Sequence, residues 1–72
     1  MKVYCCKELK LKTIDELLDL LFFYNELKKD ICYIIKNDPE NEKFYIDEHL
    51  YFYELNIRKI KNELTTKSEI KP

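Results

Sequence analysis

Residues 36–42 read Lys-Asn-Asp-Pro-Glu-Asn-Glu, KNDPENE, and this stretch divides the chain into two long helical runs. Pro39 suits the first position of a helix, where an amide hydrogen has no intrahelical acceptor and its loss costs nothing. Asp38 is placed to be its N-cap, and Glu40 and Glu42 favour the positive end of the helix dipole. One helix is therefore expected to end near Lys36 and another to begin at Pro39.

Upstream, Thr13-Ile14-Asp15-Glu16 has the form of a capping box, in which Thr13 bonds the Glu16 amide while the Glu16 carboxylate reaches back. The apolar repeat it opens runs Leu17, Leu20, Tyr24, Leu27, Ile31 and Ile34, at spacings of 3, 4, 3, 4 and 3. Downstream, Ile46, Leu50, Tyr53, Ile57, Ile60 and Leu64 recur at 4, 3, 4, 3 and 4. These spacings predict an all-α fold: helices over about 13–36 and 39–65, folded into an antiparallel two-helix hairpin, with residues 66–72 a frayed tail. Residues 1–12 alternate weakly and carry four Lys, so they are read as a short arm or strand.

The 72 residues hold no Gly and only two Pro, with 46% apolar and 38% charged side chains. That composition belongs to a folded helical domain rather than to a disordered chain, and without Gly neither a Walker A loop nor a dinucleotide-binding loop can be written. A domain this small buries only about 60% of its unfolded surface, so its core needs a supplement. The three cysteines, Cys5, Cys6 and Cys32, are odd in number with one adjacent pair, which reads as reduced thiols rather than a disulfide frame. No apolar run approaches the ~20 residues of a membrane span and no signal peptide is visible. The expected setting is cytoplasmic, the host cytoplasm if the protein is viral.

The remaining supplement is a partner chain. With the two seams facing each other, Leu18 and Phe22 fall on the back of the first helix, and Phe44, Tyr45, Tyr51 and Phe52 on the back of the second. Six such groups are worth on the order of 10 kcal/mol if something covers them. The N-terminal arm and a second copy of the chain are the expected covers, giving a four-helix arrangement in a homodimer. The candidate partner-binding residues are Phe22, Phe44, Tyr45, Glu48, Tyr51 and Phe52.

Charge is segregated along the chain: residues 1–12 carry +3, 13–37 carry −2, 38–54 carry −5 and 55–72 carry +3. Folding the hairpin brings the basic termini to one end and the acidic turn to the other. The basic end supports an alternative function, nucleic-acid binding through Lys7, Lys10, Lys12, Arg58, Lys59 and Lys61. The slight net acidity and the single Arg weigh against it.

His49, the one histidine, has acidic neighbours in sequence, but Asp47 and Glu48 point to other helical faces, and Phe52 and Tyr53 occupy the positions a metal-ligand pair would need. Cys5 and Cys6 are too close together to act as paired zinc ligands. No catalytic residue, metal site or cofactor is therefore expected.

The Asn37–Glu40 turn between helices resembles that of the small helical-hairpin phosphatases of sporulation signalling, whose Ser-Gln-Glu-Leu-Asp signature has no counterpart in residues 42–55. The architecture is also similar to plasmid and viral hairpins that dimerise into four-helix bundles, a likeness of shape without a shared motif. The functional expectation is a small non-enzymatic interaction module, a regulator or inhibitor docking on a larger protein. By analogy alone, it would be a phage- or plasmid-encoded factor of the anti-defence type, its acidic end standing in for phosphate charge.

Overall fold

The computed structural model describes residues 3–69, and most of these are helical, with no strand among them. Helix α1 spans Cys6–Lys10, α2 spans Ile14–Asn37, α3 spans Glu42–Tyr45 and α4 spans Tyr51–Glu69. A 3-10 turn, Pro39–Asn41, joins α2 to α3, and a π turn, Ile46–Leu50, joins α3 to α4 in one long rod.

α2 begins where its capping box predicts. The Glu16 amide donates to Thr13 Oγ1 at 3.1 Å and the Thr13 amide to Glu16 Oε1 at 2.8 Å, satisfying two amides the first turn leaves open. These hydrogen bonds hold the Glu16 carboxyl below its ordinary pKa. The Asn-Asp-Pro break is the turn, but Asp38 does not cap the following helix through its side chain. Its carboxylate instead accepts from Asn41 Nδ2 at 2.8 Å and from the Tyr45 hydroxyl at 3.0 Å, tying the turn to the first residues of the second rod.

After this reversal α2 and α4 pack side by side around Leu17, Tyr24, Ile31, Tyr53, Ile57 and Ile60, all buried, with Leu20, Leu27, Leu50 and Leu64 half-buried beside them. Two seam positions differ from expectation. Ile34 is exposed and Ile35 packs in its place, because a straight helix at 3.6 residues per turn drifts ~20° per heptad away from a strict seven-residue repeat. Ile46 is likewise exposed, and Tyr45, expected on the back, packs against the core. The cause is the π turn, in which the Tyr51 amide donates to the Ile46 carbonyl five residues back. One extra residue in that turn rotates everything before it by roughly 100° relative to the α4 seam.

The N-terminal arm is a short helix rather than a strand. Leu9 is inserted into the core, while Leu11 just beyond α1 is 87% exposed. Both polar groups of the Tyr4 backbone are taken by α4: its amide donates to Asn56 Oδ1 at 3.0 Å, and its carbonyl accepts from Lys59 Nζ at 3.0 Å. Lys67 Nζ donates to the Lys10 carbonyl at 3.0 Å, and the Tyr4 ring meets Tyr24 edge-on at 6.2 Å. Asn56, fully buried on the inner face of α4, was not singled out by the sequence reading. α4 extends to Glu69, so residues 66–69 are helical; the rest of the expected tail, 70–72, lies outside the described residues.

The resulting body measures 52 × 17 × 15 Å, and its radius of gyration, 14.2 Å, exceeds the ~11 Å of a compact globule of this length. A helix with its side chains is already 10–12 Å across, so the rod is at most two helices wide in cross-section. Each long helix buries one side and leaves the opposite side to solvent.

Candidate interaction surface

Seven apolar side chains are buried among the described residues, and ten large ones are exposed. The expected partner-binding residues do not form one patch. Phe22, 67% exposed, lies on the outward side of α2. Phe44 is exposed on α3, and its ring lies 5.9 Å from His49, an i to i+5 contact that the wide π turn permits. Tyr51 is 57% exposed at the start of α4 with Phe52 half-buried next to it, their rings 5.4 Å apart. Glu48 is exposed within the π turn. Tyr45 differs from the rest: half-buried, it spends its hydroxyl on Asp38, and that hydrogen bond to a carboxylate raises its pKa.

The outward side of α2 is richer than the sequence reading anticipated. Ile14, Leu18, Phe22 and Tyr33, the last 69% exposed, share it with Asn25, Lys29, Cys32 and Lys36, which line one continuous shallow groove with Phe22 and Tyr33. Tyr33 was missed because it falls between two core isoleucines, Ile31 and Ile35, in a run that reads as uniformly apolar.

His49 is half-buried between Tyr45 and Tyr53, ring centroids 6.4 and 6.3 Å away, and acts as a packing ring in an aromatic ladder. The three cysteines are exposed and none forms a disulfide; Cys5 Sγ lies 3.5 Å from Glu8 Oε1. No cluster of three or more His, Cys, Asp or Glu able to hold a metal occurs among the described residues. No helix among them is long and apolar enough to cross a membrane.

The basic residues of the alternative function are divided among different jobs. Lys59 is spent on the Tyr4 carbonyl, and Arg58 and Lys61 line a groove with Lys28 and Glu54, three bases beside one acid. Lys7 and Lys10 are exposed on α1, and Lys12 is half-buried after it.

The Tyr24 phenol links folding to alkaline pH. Burial foremost, then the neighbouring Tyr4 and Tyr53 hydroxyls, push its phenol up from 10 to about 12. A phenol harder to ionise in the folded than in the unfolded state contributes stability below pH 10, and that contribution is lost as pH rises from 10 through about 12. The loss is on the order of 2–3 kcal/mol. Urea unfolding between pH 8 and 11.5 is expected to show a falling midpoint in wild type and a flatter profile in Tyr24→Phe. Equal slopes in the two proteins would rule out Tyr24 as the titrating group.

Compared with protein-family models, characterised proteins and solved structures, the chain has no match.

Proposed function

We propose that this chain works by binding: it is a small protein-interaction module, a helical hairpin that pairs with a second copy as a four-helix homodimer and regulates or inhibits a larger protein. The supporting observation is that a rod only two helices wide exposes more large apolar side chains than it buries among the described residues. Such side chains scattered singly would need no explanation, but Ile14, Leu18, Phe22 and Tyr33 line up on one helix side, as an interface requires. The acidic Asp38–Glu54 segment, with exposed Phe44 and Tyr51 on α3 and α4, supports docking of the dimer on a basic target surface.

Size exclusion with light scattering is expected to give 17.8 kDa, twice the 8.9 kDa chain, at micromolar concentrations and above. A mass that stays at 8.9 kDa up to millimolar concentration would remove self-association from this reading. Binding to mixed DNA and RNA at ~50 mM salt is expected to be absent, since Lys59 and Lys67 are engaged by the arm. Affinity that falls steeply with log salt would instead favour the basic end and a nucleic-acid function.

A further inference from the structure

We propose that the second copy docks antiparallel on the outward side of α2, about a twofold axis that crosses the helix between Asn25 and Glu26. The inference rests on the self-association reading above and names its surface. At 100° per residue, Ile14, Leu18, Phe22 and Tyr33 fall within a stripe about 100° wide, centred roughly 130° from the buried Leu17, Tyr24 and Ile31. α2 thus carries apolar side chains on two sides, one filled from within the chain and one exposed, where Ile14, Leu18 and Phe22 in the first half and Tyr33 in the second flank Asn25, Glu26 and Lys29.

Charge selects both the occupant and its direction. On that side the first half of α2 holds Asp15, with Asp19 at its edge, and no base, whereas the second half holds Lys36 and Lys29, the latter 3.7 Å from Glu26 of its own chain; Glu16 is turned away into the capping box and Lys28 also borders the groove against α4. A parallel copy would set Asp15 on Asp15 and Lys36 on Lys36; an antiparallel copy sets Asp15 on Lys36 at both ends. Full overlap of the Ile14–Asn37 helix with its copy then fixes the register. Leu18 meets the partner's Tyr33, the Phe22 ring lies under the stem and ammonium of the partner's Lys29, and Asp15 faces the partner's Lys36. Every pair occurs twice, as a closed isologous interface demands. The outer side of α4 offers a shorter apolar stretch, Ile46, Tyr51 and Leu55, bordered by Glu54 and Arg58.

Sedimentation equilibrium on variants tests the assignment. Phe22→Glu and Tyr33→Glu, both at exposed positions, are each expected to raise the dimer dissociation constant at least about tenfold with helical circular dichroism unchanged. Tyr51→Glu is expected to leave it within about twofold. Asp15→Lys alone is expected to weaken pairing about threefold, and adding Lys36→Glu to restore it. A wild type that stays monomeric overturns this proposal together with self-association. A dimer insensitive to both α2 glutamates but broken by Tyr51→Glu leaves self-association standing and overturns the α2 surface. Failure of Lys36→Glu to rescue Asp15→Lys overturns the antiparallel register. Should a glutamate variant lose its helical signal, the charge exchange between two exposed side chains decides alone.

Discussion

Leu17→Ala is expected to remove about 2–5 kcal/mol, a large share of the stability of the chain. Leu17 has no exposed surface and sits with Ile60, equally buried, in a core of only seven apolar side chains. Truncating a buried Leu forfeits its transfer free energy and leaves a cavity, together about 2–5 kcal/mol. A chain of this length has a total stability of roughly 4–11 kcal/mol, so one such cavity takes a large share of it. Leu18→Ala, one residue along and half exposed, is expected to cost under ~1 kcal/mol in the dissociated chain. Urea melts of the two variants at the same chain concentration separate these outcomes, because any dimer adds a concentration-dependent term. Equal costs would mean that the helix is rotated relative to the core described above.

Asn56→Ala is expected to cost about 1–3 kcal/mol and to release the N-terminal arm while the long helices stay paired. The buried carboxamide oxygen accepts the Tyr4 amide from fifty-two residues away in sequence, and its removal leaves that amide without its acceptor beside a new cavity. Hydrogen exchange resolves the two parts. The Tyr4 amide should lose its protection, while Ile57 and Ile60 amides in α4 keep theirs. A Tyr4 amide still protected in Asn56→Ala would show that Leu9 and the Tyr4–Tyr24 ring contact hold the arm by themselves.

What the residues disclose and what they conceal follow from the range of the interactions involved. The Thr13 capping box and the Pro39 break are local, decided by side chains within four residues of the backbone they serve, and both occur where their spelling predicts. The central seam residues Leu17, Tyr24, Ile31, Tyr53, Ile57 and Ile60 are periodic, and burial follows the period. The departures are cumulative or long-range. A heptad reading loses phase by Ile34, and the π turn, which inverts the roles of Tyr45 and Ile46, has no Gly or Pro to mark it. Asn56 looks like a polar interruption until a strand of backbone from the other end of the chain is laid against it. Its position three residues after Tyr53 and four before Ile60, on the face of two core residues, is the one signal the sequence offered.

The same distinction applies to the candidate surface. Phe22, Phe44 and Tyr51 were legible as surplus apolar groups because they fall off both seams. Their division among separate sides of the rod, and the alignment of Tyr33 with Phe22 on α2, depend on the helix phases and on where the arm lies.

The most direct test of an interface between copies is a filtered nuclear Overhauser experiment on an equimolar mixture of carbon-13-labelled and unlabelled chains. Within one chain Leu18 and Tyr33 are fifteen residues apart on a single helix, about 22 Å, far beyond contact. Cross-peaks between Leu18 methyls and Tyr33 ring protons of different chains are predicted. Their absence in a sample whose mass remains 8.9 kDa would contradict the account.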